Sequence, residues 1–174
     1  MLFPYPIFSS YTNITKSELH QINSYRETEI ENNSKIETKV LNLDFDQVDA
    51  LIPIGSNFEI YDISIDETLL AKRIGGYGHF DIIFVDLSTN LDENSNPNYH
   101  SVVIKFNENC LIPASLNPYA HGYSDKEPQS KNFQFGHYCL HFKNSKLSHS
   151  NKTEDYHQKA VKQAYRYAKK HLLD

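Results

Sequence analysis

Apolar and polar positions alternate with a period of two along most of the chain, and a helical period appears at its end. In residues 56–65, Phe58, Ile60, Asp62 and Ser64 fall on one side and Glu59, Tyr61, Ile63 and Ile65 on the other. With this β-branched and aromatic content, the alternation predicts a strand. Ile36, Thr38, Val40 and Asn42 share one face and predict an edge strand. Residues 80–87 are apolar enough for a buried strand, and residues 101–106 predict another. Residues 67–74 read as a short strand or one turn of helix. Residues 111–116 are extended but interrupted by Pro113, and residues 135–142 form a strand or strand edge. The connections are an irregular arm over 1–19, an acidic turn at 44–49, a glycine run at 75–78, and polar loops at 88–100 and 117–133. The helical period is carried by residues 151–172, where Val161, Ala164, Tyr167, Ala168 and Leu172 recur at spacings of three and four. Asn151 to Glu154 fits a capping box, with Thr153 a competing cap. The expected fold is mostly β, sandwich-like, with a C-terminal helix packed on it.

The 174 residues are one domain's worth of chain. There is no Trp, but twelve Tyr and ten Phe supply aromatic bulk for a core. The net charge of −5 argues against a nucleic-acid binder, because phosphate contacts need clustered cations. The one basic run, Lys159, Lys162, Arg166, Lys169 and Lys170, reads as the solvated side of the terminal helix. No run approaches the roughly 18 apolar residues of a membrane-spanning helix. The N-terminus has neither a basic region nor a sustained apolar run, so it does not read as a signal peptide. Two cysteines, Cys110 and Cys139, allow one disulfide by counting but make no disulfide scaffold.

What changes the picture is a crowding of histidines. His121, His137, His141 and His149 lie within 29 residues and bracket Cys139. On a strand, His137, Cys139 and His141 share one face, while Tyr138 and Leu140 point to the core. An imidazolium beside a thiol raises its thiolate fraction, and the thiolate is the strongest nucleophile available at neutral pH. Attack on an amide or ester carbonyl would give a thioester. The histidine would protonate the leaving amine, and residues after Cys139 could offer N–H groups to the oxyanion. Upstream, His79 and Asp81 share a strand face after the glycine run and could orient an imidazole or bind a metal. That run lacks the ending of a phosphate-binding loop. Arg73 could clamp a substrate carboxylate or form a surface ion pair. Cys110 has no histidine near it in sequence and reads as inert, and His20, His100, His157 and His171 read as incidental.

Ala120-His121-Gly122, sixteen residues, then Cys139 within Gly136-His137-Tyr138-Cys139-Leu140 resembles the L,D-transpeptidase (YkuD-type) family. That family has a His-Gly followed by a Ser-His-Gly-Cys-(Ile/Val)-Arg block at about this separation. The resemblance implies Cys139 as nucleophile, with His121 or His137 as its base partner, and Gly122 matches the glycine. It also implies a peptidoglycan peptide as substrate and an extracytoplasmic location. Gly136, Tyr138 and His141 depart from the family's serine, glycine and arginine, so the substrate contacts would differ. Residues 52–165 are also similar to proteins of Gram-positive bacteria that often sit beside cell-wall-binding modules. That likeness implies a site of Arg73, His79, Asp81, Asn117, His121, His137, Cys139, His141 and His149, within a catalytic core over 52–149.

The expected assignment therefore has Cys139, His121 and His137 catalytic, Arg73, Asn117 and His141 binding substrate, and His79, Asp81, Gly122 and His149 in support, with no cofactor. Two alternatives stay open. His79, Asp81, His121, His137, His141 and His149 are zinc-type donors for a metal-dependent cell-wall peptidase, although His137 and His141 match no short zinc motif. The third possibility is a non-catalytic module that binds cell wall or peptide.

Overall fold

The computed structural model describes residues 37–86, 91, 99–120, 136–147 and 150–173. Seven strands and two helices occur among them. They are β1 (Lys39–Val40), α1 (Phe45–Leu51), β2 (Asn57–Asp62), β3 (Glu67–Gly75), β4 (Phe80–Phe84), β5 (His100–Asn107), β6 (Cys110–Leu116), β7 (Tyr138–His141) and α2 (Asp155–His171).

The fold is mostly β with a C-terminal helix, but its sheet does not split into a sandwich. The strands run β6-β5-β2-β3-β4-β7, and β7 then pairs with β6 through Ser115–His141 and Leu116–Leu140. Six strands thus close a barrel, and β1 adds in parallel to the first half of β6. Closure removes two exposed edges. It also explains Pro113. The Leu111 carbonyl accepts from Leu41 N–H on the β1 side, so by alternation the backbone of Pro113 faces the same way. That position lies between the residues paired with β1 and those paired with β7, where no ladder needs an N–H. The proline therefore sits inside one continuous strand rather than breaking it.

Alternation sorts the side chains cleanly. Ile60, Ala71, Phe80, Ile82, Phe84, Val102, Ile104, Ile112, Ala114, Leu116 and Leu140 are fully buried and, by register, share the inner face. Arg73 lies on that face too. Its guanidinium sits 3.7 Å from the centre of the Phe80 ring, donates to the carbonyls of Ile52 (2.5 Å) and Gly75 (3.3 Å), and pairs with Asp49. Asp62 and His100 make a second buried charged pair at 2.7 Å.

The outer face of β5 and β6 is covered by α2. Ala164 and Ala168 pack on Val103 and Leu111, and the small alanines let the helix lie close to the sheet. Lys159, Lys162, Arg166, Lys169 and Lys170 are all exposed, on the opposite side of the helix. The helix starts later than the capping-box reading expects. Glu154 is the N-cap, and Asn151 takes a left-handed turn with φ of 52° instead. The expected acidic turn at 44–49 is largely the short helix α1. Asp44 N–H donates to Gln47 Oε1 at 2.9 Å, and Val48 and Leu51 are buried.

Candidate active site

Register builds the core of the site. Asp81 on β4 lies directly opposite Cys139 on β7, and Ser115 on β6 directly opposite His141. Opposed residues of adjacent strands project from the same face at close range. Cys139 and His141, two apart, therefore sit on the outer face of the barrel with Asp81 and Ser115 beside them. Tyr138 and Leu140 turn inward, and Tyr138 packs on Phe84 with ring centres 4.9 Å apart.

The turn between β3 and β4 delivers His79. Gly76 has φ of 109°, and a Cβ there would lie 2.1 Å from the His79 carbonyl oxygen. Only glycine lets the chain fold back this tightly. Gly75 opposes Asp81 and leaves room for its carboxylate, since a Cβ would stand 3.3 Å from Oδ2. The glycine run thus serves the placement of a histidine and an aspartate.

Asp81 Oδ1 meets two imidazoles, His79 Nε2 at 3.2 Å and His137 Nε2 at 3.4 Å. The ligating atoms of His79, Cys139 and His141 all lie within 4.8 Å of one another, and so do those of Asp81, His137 and Cys139. The thiol is common to both sets. Burial disfavours charge on His79, but hydrogen bonds to Asp81 and Cys139 and their negative charge outweigh it and raise its pKa to about 10. His79 is therefore an imidazolium at neutral pH.

A column of rings continues from this cation toward α2. His79 stacks on His141 with centres 4.7 Å apart, His141 on His157 at 3.6 Å, and His157 on Tyr99 at 3.9 Å. Ser115 Oγ holds His157 Nδ1 at 2.9 Å. Burial, and then the charge of His79, push His157 down to about 4, so it is neutral. The four rings, Asp81, His137 and Cys139 line a pocket of about 850 Å³ with Gly76, Tyr77, Asn117, Leu147 and Glu154. Asn117 Oδ1 accepts from Tyr119 N–H at 3.1 Å, so its amide NH₂ is the group it can offer a ligand. β7 is paired on both sides at Leu140, so the backbone after Cys139 is committed to ladders rather than to an oxyanion.

Of the residues singled out in the sequence, His79, Asp81, Asn117, His137, Cys139 and His141 come together here. Arg73 does not. Its guanidinium is turned into the barrel, away from any substrate carboxylate, because position 73 falls on the same face as Ala71. His121, Gly122 and His149 lie outside the described residues. Cys110 and Cys139 are both free thiols. Burial raises Cys110 to about 11, which leaves it protonated and inert. His157 joins the site from a helix. It belongs to the buried stripe of Ala160, Val161, Ala164 and Ala168, and that spacing was the signal that it faces inward. His100 is likewise buried and paired.

No protein-family model matches the chain, and no curated protein or solved structure shows a significant similarity to it. The chemistry is therefore argued from the site itself. It is a buried thiol with imidazoles and a carboxylate in a pocket, a catalytic type of arrangement.

Proposed function

We propose that Cys139 is the nucleophile of an acyl-transfer or hydrolysis reaction on a peptide bond. The observation that carries this reading is the Asp81–His79 pair placed against the thiol, with His79 charged at neutral pH. A fixed imidazolium stabilises a thiolate beside it. The thiolate attacks the carbonyl carbon, the C–S bond forms, and the C–N bond breaks. The His79 proton passes to the leaving amine, leaving a thioester and a neutral imidazole. Water or a second amine then adds to the thioester, its proton returns to His79, and the C–S bond breaks. Asp81 holds the ring of His79, and His137 shares the same carboxylate oxygen.

The substrate we assign to this site is a peptide of peptidoglycan or a related cell wall. Support comes from the likeness of the segment around Cys139 to the L,D-transpeptidase block and from a pocket roomy enough for several residues' worth of atoms. Iodoacetamide labelling of metal-free protein at pH 6.5, read by peptide mass, tests the nucleophile. Cys139 should label at least about tenfold faster than Cys110, and His79→Gln should remove that advantage. Equal labelling of both cysteines would overturn the assignment. A D-amino-acid-containing wall tetrapeptide should leave an acyl adduct on Cys139 in the intact mass.

A second reading is favoured by the donor geometry. His79, Cys139 and His141 are three zinc-type ligands at mutual distances a single ion can bridge, and the Lys146 carbonyl, 3.4 Å from His79 Nδ1, is placed to orient that ring behind them. Stoichiometric zinc in protein purified without chelator, with slow Cys139 labelling until it is stripped, would favour a metal-dependent hydrolase.

A further inference from the structure

The far side of the pocket has its own chemistry. Glu154 is the N-cap of α2 and lines the cavity, yet its Oε2 is buried without a hydrogen-bond partner. The nearby His157 Nε2 stands 3.4 Å away and does not make a hydrogen bond to it. Tyr99 flanks the same place. Burial, then the charge of the Glu154 carboxylate and a hydrogen bond to it, raise the pKa of its hydroxyl, and Oε2 is the carboxylate oxygen left unpartnered.

A buried carboxylate oxygen without a donor is costly, so it marks a position a ligand donor can complete. The described residues that line the pocket include no Lys or Arg. Asp81 and Glu154 place two carboxylates on that lining, which disfavours a ligand carboxylate there. An ammonium fits the opposite requirement, with three N–H donors, no acceptor and a positive charge.

We propose that Glu154, flanked by Tyr99, is a recognition point for a protonated primary amine on the ligand, on the α2 side of the pocket that holds Cys139. The amine lies across the ring column from the thiol, separated from His79 by His141 and His157. The inference names the ligand class of the pocket assigned above and takes its functional meaning from that reading. The binding itself needs no reaction at the thiol.

The test is a titration of the full chain, carrying ¹³C-labelled histidine, with n-pentylammonium and separately with its neutral counterpart 1-pentanol. The ring C–H signals of His157 report binding. The ammonium should shift them saturably and bind at least about tenfold more tightly than the alcohol. Glu154→Gln should erase that preference, and Cys139→Ala should keep it. Equal affinity of the two probes in the wild-type protein, no shift with either, or an unchanged preference in Glu154→Gln would each overturn the proposal. The wild-type comparison decides the matter even where Glu154→Gln does not fold. Fast labelling of Cys139 without amine preference would sink this recognition point alone. Amine preference with an unreactive Cys139 would sink the thiol reading alone.

Discussion

Two aspartates of this barrel, Asp62 and Asp81, meet histidine, one on each face of its sheet. Asp62 and His100 face inward, 2.7 Å apart, with exposures of 0% and 2%. Asp81 and His79 face outward, 3.2 Å apart, with Asp81 24% exposed to the pocket. The inner aspartate completes its coordination locally, accepting from Ser64 N–H at 2.8 Å. The outer one divides a single oxygen between two imidazoles beside a thiol. The same residue pair thus serves two purposes. Sealed and closely bonded, it fixes the end of a strand. Loosened, shared and open to a cavity, it can hold and release a proton. Residue type alone does not separate the two cases, but strand parity does.

Breaking the inner pair should give the largest effect on the fold. Asp62→Ala leaves His100 buried without its partner, and removal of one member of a buried pair costs about 3–5 kcal/mol. Urea unfolding should register that loss, while the labelling rate of Cys139 in the folded fraction stays unchanged. A labelling rate that falls in step with stability would mean the two faces are not independent.

The outer face should reveal itself through pH. His79 is raised from 6.5 to about 10 in the folded chain, so its contribution is complete below pH 6.5 and is lost as pH rises toward 10. His157 is lowered to about 4, so the unfolded chain takes up its proton first, and stability falls as pH drops from 6.5 toward 4. Each slope amounts to at most about 1.4 kcal/mol per pH unit. Unfolding free energy measured across this range should peak near neutrality. His79→Gln should flatten the alkaline side and, by removing a charge that helps depress His157, soften the acid side as well, whereas His157→Asn should act on the acid side. A profile unchanged by both would contradict the opposite shifts of His79 and His157.

Much of this arrangement was legible in the sequence, and the exceptions have physical reasons. Period-two patterning located β2, β4 and β5 and placed His137, Cys139 and His141 on one face. It reports faces, however, and not partners. Closure of the barrel depends on Leu116 meeting Leu140, a pairing of residues far apart in the sequence, so a sandwich was as consistent with the pattern as a barrel. Arg73 was legible in principle. It falls in register with Leu69 and Ala71 on the inner face, which parity would have assigned to the core. His157 was hidden because a histidine on an apolar helical stripe looks like an interruption. Asp44 to Asp49 looked like a turn because the seven residues of α1 carry little periodicity, although Asp44 and Gln47 have capping-box spacing.

A smaller effect should follow when the outer aspartate keeps its shape and loses its charge. Asp81→Asn removes the countercharge of His79 and the acceptor shared with His137. The imidazolium loses support, and with it the thiolate. Labelling of Cys139 at pH 6.5 should slow by about 10- to 100-fold, equivalent to about 1.4–2.7 kcal/mol. The inner pair gives no such readout, so the same change at Asp62 is the control. Unchanged labelling in Asp81→Asn would remove Asp81 from the site and leave His137 and His79 unconnected.

The smallest effect is expected at Ser115, and it asks how far the outer network extends. Ser115 is fully buried, opposes His141 across the strands, and bonds Nδ1 of His157. Its bond ties the helix-borne ring of His157 to the strand that faces His141. Ser115→Ala leaves a buried nitrogen without that partner, which should cost about 1 kcal/mol. The ring of His157 should then turn, seen as a change in its C–H shifts, while those of His79 stay in place. Labelling of Cys139 should change little, because His141 lies between His157 and His79 in the column. A large loss of labelling would instead make the helix part of the thiol's own machinery. The division between a reacting end at Asp81 and a recognition end at Glu154 would then have to be abandoned.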